Sequence, residues 1–286
     1  MPTFVESRDA NAAFNPSYVP VMVVTGATGG IGQAMLEALA RHLKGRIHLI
    51  LVGRNRAAAE AIIAKLPTCP ESKYEFYECD IVLMKNVHTL ADDLLKRLPK
   101  VNFLVLCAGR DRFWGPRKET EEGIDDMFAI RYYSRFVLTR DLLPLVISVL
   151  GAGMAPEVNL DDLGLKKKYS AINAALQATV YNDLMVAVNP EIAFTHIWPG
   201  WVFNGMIVNS GILAKSLSFV LGPLQWLIGT TPEKNAEYML FGLLSAKKGM
   251  YRRGRRGEDI GMKRFLQAKD AQRILHEHSV EETARK

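Results

Sequence analysis

The sequence predicts an α/β fold built around a doubly wound, mostly parallel sheet. Short apolar runs typical of buried strands alternate with amphipathic helical patterns along most of the chain. Such an alternation requires helical crossovers that cover both faces of a parallel sheet. The chain has 286 residues, of which 49% are hydrophobic and 23% charged, and we find no internal repeat. These values fit one large domain.

The first strand, turn and helix carry the functional argument. Residues 21–24 are an apolar run, and the next apolar residues recur at helical spacing at Ile31, Met35, Leu36, Leu39 and Leu43. Between them, Gly26 permits a tight turn, Gly30 permits close approach of a pyrophosphate, and Gly32 permits the helix to pack on the sheet. A purely structural turn is the alternative, but the flanking strand and helix favour a nucleotide site.

The remaining elements follow in alternation. The patterns predict strands at 46–52, 74–79, 101–106, 146–149 and 193–198, and helices at 56–66, 85–98, 123–145, 169–188, 232–244 and 269–286. Ligands bind at the carboxyl ends of the strands in such sheets. Gly26, Arg54, Asp80 and Gly109 each follow a strand, so we expect them to meet at one edge.

The end of the second strand predicts the cofactor. An acidic residue there would bind the adenosine ribose hydroxyls and repel a 2′-phosphate, whereas an arginine pairs with that phosphate. Gly53 stands where the acid would be, and Arg54 follows it. NADP(H) is therefore predicted over NAD(H). The alternative is that Arg54 is an ordinary exposed turn residue.

Four motifs together resemble the short-chain dehydrogenase/reductase family. They are Thr25-Gly-Ala-Thr-Gly-Gly-Ile-Gly32, Cys79-Asp80-Ile81, Cys107-Ala-Gly109 and Pro199-Gly200, in the family's order within residues 21–245. The resemblance implies a Rossmann fold of about seven strands. Tyr132-Tyr133-Ser134 and residues 158–163 further resemble atypical fungal members from natural-product pathways. The cofactor contacts predicted from the motifs and this resemblance are Thr25, Gly26, Thr28, Gly30, Ile31, Gly32, Arg54, Asn55, Asp80, Ile81, Ala108, Gly109, Pro199, Gly200, Val202 and Asn204.

The catalytic positions depart from the family pattern of Ser, Tyr and Lys with a supporting Asn. Only the tyrosine is retained, as Tyr169. Gly151 stands at the serine position, Asn173 at the lysine position and Arg131 at the asparagine position. Tyr169 and Asn173 are four residues apart, so a helix starting at Tyr169 would point both at the nicotinamide ribose.

Arg131 is the predicted source of the positive charge that the missing lysine would supply. A guanidinium beside Tyr169 would favour its phenolate, or would bind a substrate carbonyl directly. Arginine stays protonated in proteins, so this role would be electrostatic. The alternative is a structural ion pair of Arg131 with Asp125, Asp126 or Asp161.

Residues 205–231 are predicted to form a small apolar helical lid. The stretch approaches the length of a membrane span, but its polar residues and the Gly222-Pro223 breaker favour two short helices. Contact with a membrane surface is the alternative. Trp201 and Phe203 precede the lid and suggest a large apolar substrate. The rest of the single domain, 1–286, includes an N-terminal extension, 1–19, and a C-terminal tail and helix, 246–286.

Composition excludes several other classes. The net charge is +6, and the basic cluster Arg252-Arg-Gly-Arg-Arg256 lacks a nucleic-acid motif, so it is interpreted as a solvated loop with no nucleic-acid partner. Three cysteines fit free thiols in a reducing compartment better than disulfides or a metal site. Residues 1–20 lack a secretory signal, so a cytoplasmic location is predicted. The resemblance implies a homodimer that pairs through the helices at 123–145 and 169–188.

These features predict an NADPH-dependent reductase acting on a bulky apolar small molecule in secondary-metabolite biosynthesis. The reduced group would be a C=O, a C=N or an activated C=C, and the incomplete triad favours an iminium or a conjugated acceptor. One alternative is a cyclase or isomerase of the same fold, such as a pericyclase coupled to reduction. Another is a non-catalytic NADP-binding protein.

Overall fold

A seven-stranded parallel sheet forms the centre of the computed structural model, which describes residues 1–110, 112, 114–142, 145–154, 157–185, 192–202, 229–261 and 269–285. The strands are β1 (Val21–Thr25), β2 (His48–Gly53), β3 (Lys73–Glu78), β4 (Phe103–Leu106), β5 (Leu145–Val149), β6 (Ala193–Ile197) and β7 (Gly249–Arg253). Their order is β3-β2-β1-β4-β5-β6-β7. The predicted doubly wound α/β fold is confirmed.

Helices cover both faces of this sheet. They are α1 (Phe4–Ala12), α2 (Gly30–His42), α3 (Arg56–Ile63), α4 (Met84–Arg97), α5 (Asp126–Phe128), α6 (Ser134–Leu142), α7 (Ala171–Leu184), α8 (Pro232–Leu244) and α9 (Lys269–Glu282). One apolar cluster packs α4, α6 and α7 on one face, and another packs α2 and α8 on the opposite face. Every residue of β1 and β4 is buried, as expected for strands covered on both sides.

Strand register brings the functional loops to one edge. Thr25 at the end of β1 pairs with Val52 of β2 on one side and with Leu106 of β4 on the other. The chain order reverses between β1 and β4, and this is where such sheets bind ligands. The loops after β1, β2 and β4 therefore leave the sheet side by side.

The helix predicted at 123–145 is interrupted. A π-helical turn, Ala129–Tyr133, separates α5 from α6, and Leu145 belongs to β5, where it pairs with Phe103. A π turn adds a residue to the ordinary helical repeat and often occurs at functional sites. Asn182 of α7 donates from Nδ2 to the carbonyl oxygen of Arg131 at 2.9 Å, so this turn contacts the neighbouring helix.

Strand β7 lies within the segment predicted as a tail, and it corrects the interpretation of the basic cluster as a solvated loop. Arg252 and Arg253 are only 2% and 8% exposed. The Arg252 guanidinium donates from Nε and Nη2 to the two oxygens of Asp183, at 3.1 and 3.2 Å. Arg255 and Arg256 are exposed. Arg252 and Arg253 are therefore buried, and Arg252 is paired with Asp183, which is distant in sequence.

The two terminal helices pack onto the sheet layers. Asn11 of α1 donates from Nδ2 to the backbone carbonyl and to a carboxylate oxygen of Glu237 in α8, both at 2.8 Å. On the other face, the Tyr132 hydroxyl forms a hydrogen bond with the hydroxyl of Ser279 in α9, with 2.8 Å between the two oxygens. Because α9 lies against the π turn, pairing of two copies through this face would include α9.

None of the helices in the described ranges is both long and apolar enough to span a membrane. Most of the predicted lid, residues 205–231, lies outside the described residues. Its described C-terminal end contacts the segment that precedes it, because the Thr230 N–H donates to the Trp201 carbonyl oxygen at 2.9 Å. Thr231, the last residue of the predicted lid, caps α8.

Candidate active site

The glycine-rich turn has the close packing that its sequence predicts. Gly26 has φ +74°, and a Cβ there would lie 2.6 Å from the backbone nitrogen of Ala108. A Cβ on Gly32 would collide with the carbonyl oxygen of Gly26. Helix α2 begins at Gly30 after an N-cap glycine, so no side chain accepts from its first turn. These N–H groups suit an anionic phosphate, and the turn therefore fits a dinucleotide.

The predicted adenosine residues meet at the same edge. The space beside Gly53 is open, because the atoms nearest to a Cβ built there belong to the Thr28 side chain, 3.9 Å away. Arg54 is exposed, and its Nη1 lies 3.8 Å from an oxygen of Asp80. Asn55 accepts at Oδ1 from the Ala58 N–H and so caps α3. Because the Arg54–Asp80 pair is long and solvated, it holds Arg54 weakly and leaves it available to a phosphate.

Tyr169 contacts an arginine that the sequence analysis did not select. The Arg112 Nη2 atom donates to the Tyr169 hydroxyl oxygen at 2.6 Å. Burial raises the pKa of Tyr169, and the hydrogen bond from Arg112 opposes that rise. The positive charge beside the tyrosine therefore belongs to Arg112.

Two aspartates hold Arg112 in place. Asp125 accepts at Oδ1 from the Met127 and Phe128 N–H groups, which fixes it as the N-cap of α5. Its other oxygen lies 3.4 Å from Arg112 Nη2, and Asp126 Oδ1 lies 3.1 Å from the same nitrogen. The helix cap thus orients the guanidinium toward Tyr169.

Arg131 contacts the backbone of the loop after β4. Its Nη1 donates to the carbonyl oxygen of Arg110 at 3.0 Å, so it supports the loop that carries Arg112. Asp125 and Asp126, two of the three partners considered for Arg131, both pair with Arg112. A direct role of Arg131 in catalysis remains a prediction.

The expected helical spacing of Tyr169 and Asn173 is not observed. Ser170 is the N-cap of α7, with its hydroxyl oxygen accepting from the Asn173 N–H at 3.1 Å, so Tyr169 precedes the helix. The prediction that Tyr169 opens the helix is wrong because a serine at this point competes as a cap. Asn173 lies in the first turn of α7 and is half-buried.

Gly151, at the position of the family's serine, is held by a buried ionic network. Its N–H donates to His196 Nε2 at 3.3 Å, and His196 Nδ1 lies 2.7 Å from Asp183. A Cβ on Gly151 would lie 3.1 Å from the Thr179 methyl carbon. The nearby Ser148 hydroxyl accepts from Arg135 and donates to Asn182, so it is committed to the core.

The segment after β6 closes the edge. The Pro199 carbonyl oxygen accepts from Asn235 Nδ2 at 2.7 Å, and Val202 forms an isolated parallel β-bridge with Thr230. Gly200 has φ +74°, which a residue with a side chain adopts only with strain. The predicted contact Asn204 lies outside the described residues.

Comparisons with known proteins agree with this architecture. A family profile described as short chain dehydrogenase matches residues 20–159. Oxidoreductase AN1596 of Emericella nidulans is 32% identical over 257 residues, which cover 85% of this chain and 76% of that protein. The chain belongs to the short-chain dehydrogenase/reductase family. Its predicted resemblance to fungal members is also confirmed.

One further relative of this short-chain dehydrogenase/reductase agrees with the family assignment, and one solved structure supports the fold. Oxidoreductase andH of Emericella variicolor is 29% identical over 261 residues, covering 86% of this chain and 76% of that protein. L-Sorbose reductase from Gluconobacter frateurii, solved with NADPH and L-sorbose, superposes with a TM-score of 0.61 at 18% identity. That alignment covers 87% of this chain and 98% of the reductase chain, and it supports the fold.

Four exposed large apolar side chains follow the carboxyl ends of strands or begin α7. Trp114, Met154 and Trp201 follow β4, β5 and β6, and Ile172 lies in the first turn of α7. They are 70%, 55%, 63% and 57% exposed, respectively. Several exposed large apolar residues at one edge of a sheet are typical of a binding site for an apolar molecule.

Arg112 is the residue that sequence reasoning missed. It lies six positions beyond the end of β4, outside every family motif. A signal did exist, because Arg110 and Arg112 follow the carboxyl end of a strand next to the glycine turn. The alternating pattern could not show which arginine faces Tyr169, since that depends on the fold of the loop.

Proposed function

We propose that this protein is an NADPH-dependent reductase of a bulky apolar small molecule in secondary-metabolite biosynthesis, acting in the cytoplasm. The observation that carries the proposal is a pair of contacts made by residues that follow β4. Ala108 packs on Gly26 of the glycine turn, and Arg112 donates to the Tyr169 hydroxyl. A nucleotide cradle and a proton-donating group thus share one edge.

The choice of NADP(H) follows from charge. Gly53 leaves room where an acid would repel a 2′-phosphate, and Arg54 next to it is 63% exposed in its side chain. The uncapped start of α2 would hold the diphosphate through backbone N–H groups. When bound, the reduced nicotinamide supplies a hydride.

Tyr169 would hold and deliver the proton. Its hydroxyl is half-buried and fixed by Arg112, so it presents a donor in a defined direction. Asn173 would contact the nicotinamide ribose through its amide, although it carries no charge. Arg131 would act through the Arg110 loop or on the substrate.

The test is a substrate screen with NADPH, following absorbance at 340 nm, on wild type and Tyr169→Phe. A bulky apolar carbonyl, imine or enone should be reduced by wild type, and Tyr169→Phe should lose about 100-fold in turnover, the usual contribution of a positioned acid. Product without loss of absorbance would favour the cyclase or isomerase alternative. Turnover unchanged in Tyr169→Phe would contradict the assigned role.

A further inference from the structure

Arg112 has more hydrogen-bonding capacity than its neighbours use. Its Nη2 contacts Tyr169, Asp125 and Asp126, but Nε and Nη1 are buried and have no hydrogen-bond partner among the described residues. A buried donor without a partner is destabilising, because it has lost its hydrogen bond to water and gained none in the protein. Such groups in native proteins call for a specific acceptor.

The acceptor that fits is an oxygen atom. A guanidinium offers five N–H donors and no acceptor, and it stays charged. It therefore binds a carbonyl oxygen and repels a cation such as an iminium. Gly151 supplies no hydroxyl, and the Ser148 hydroxyl is already bonded within the core. Arg112 is the cationic donor that directly contacts Tyr169 in the described structure.

We propose that Arg112 and Tyr169 form a two-donor site for one carbonyl oxygen of the substrate, which makes the substrate a ketone, aldehyde or enone and not an iminium. This inference rests on the proposed function and narrows its substrate class. Arg112 takes the hydrogen bond that a serine at position 151 would make. Because its direction is fixed by the α5 cap through Asp125, it is preorganised for charge that develops on the oxygen.

The local charge supports a neutral ligand with a polarised oxygen. Arg110 pairs with Asp126 at 2.9 Å, and Arg112 pairs with Asp125 at 3.4 Å, so two cations face two anions. This balance gives neither a full anion nor a full cation much net attraction. A cation placed at the Tyr169 hydroxyl would meet the guanidinium first, since its Nη2 lies 2.6 Å from that oxygen.

The test compares two probes with one skeleton, cyclohexyl methyl ketone and 1-cyclohexylethylammonium, by calorimetric titration of the full chain with and without NADP+. Wild type should bind the ketone about tenfold more tightly than the ammonium, the scale of one hydrogen bond to a charged group. Arg112→Gln should remove most of that preference. Arg110→Gln, which removes one charge from the same cluster without touching Tyr169, should keep it.

A second measurement is independent of any ligand. The ultraviolet pH titration of wild type minus that of Tyr169→Phe isolates the Tyr169 phenol. Arg112→Gln should move this midpoint upward, because the Arg112 hydrogen bond and charge lower the pKa of Tyr169. An Arg112→Gln variant that folds but keeps the ketone preference, or a wild type without that preference, would overturn the proposal. Failure of wild type to bind NADPH would instead contradict the proposed function, and the Tyr169 titration would still decide the role of Arg112.

Discussion

Removing the charge of Asp183 should destabilise the protein and weaken the contacts that hold Gly151 and Gly153 in the loop after β5. Asp183 accepts from Arg252 at 3.1 and 3.2 Å and from the Gly153 N–H at 3.2 Å, and it pairs with His196 at 2.7 Å. The side chains of Arg252 and Asp183 are only 1% and 10% exposed. Asp183→Asn therefore leaves a buried guanidinium without its counter-charge, which costs about 3–5 kcal/mol.

The assay is urea unfolding at pH 7, with the free energy of unfolding compared between variants. The matched control is Asp92→Asn, because Asp92 forms a two-pronged pair with Arg285 at 2.7 Å, but in solvent. Surface pairs of this kind contribute little, so no measurable change is expected. An Asp183→Asn variant as stable as the control would refute the assignment of this network as a support of the loop at Gly151.

The pH dependence gives a further check on the same network. Burial alone would raise the pKa of Asp183, but its pairing with His196 and Arg252 holds that pKa below the usual value. A depressed carboxylate pKa stabilises the fold above the unfolded-state pKa, about 3.9, and this stabilisation is lost as pH falls. The difference between wild type and Asp183→Asn should therefore shrink as pH falls below about 4.

Three other variants test separate parts of the account. Gly32→Ala should weaken NADPH binding by about tenfold or more, because its Cβ would collide with backbone. The Cβ of Gly29→Ala would meet no atom within 4 Å, so this variant should weaken NADPH binding less, and equal losses in the two variants would contradict the steric reason. Contacts with Lys73, Arg97 and His48 outweigh burial and lower the Glu75 pKa to about 2, so the ionised carboxylate stabilises wild type until the pH falls from about 4.5 to 2. Glu75→Gln should lack this stabilisation, and identical acid-unfolding profiles of the two proteins would contradict this. Asn11→Ala should lower the free energy of unfolding by about 1–3 kcal/mol, because it breaks two buried hydrogen bonds to Glu237. An unchanged urea midpoint would show that these bonds between α1 and α8 do not stabilise the fold.

Local patterns predicted the cofactor half of the molecule because each feature there depends on neighbours in sequence. The apolar run before Gly26 is β1, the helical spacing after Gly30 is α2, and Gly53 ends β2. Strand boundaries agree within two residues. A turn, its glycines and its two flanking elements are short-range properties, so they can be read directly.

The catalytic half depends on contacts between distant residues. Ser170 caps α7 and so places Tyr169 outside the helix, and Arg131, within the π turn, donates to the Arg110 carbonyl oxygen. Arg112 reaches Tyr169 across 57 positions of sequence. No periodicity indicates which of several arginines makes such a contact, and this is why the sequence selected Arg131.

The measurement that tests the central claim most directly is a fluorescence titration of wild type and Arg54→Ala with NADPH and NADH. We expect wild type to bind NADPH tightly and NADH more weakly. Arg54→Ala should weaken NADPH binding by about tenfold and leave NADH unchanged, because one charge-assisted contact to the 2′-phosphate is lost. Failure of wild type to bind either dinucleotide would contradict the nucleotide cradle, and with it the proposed reductase.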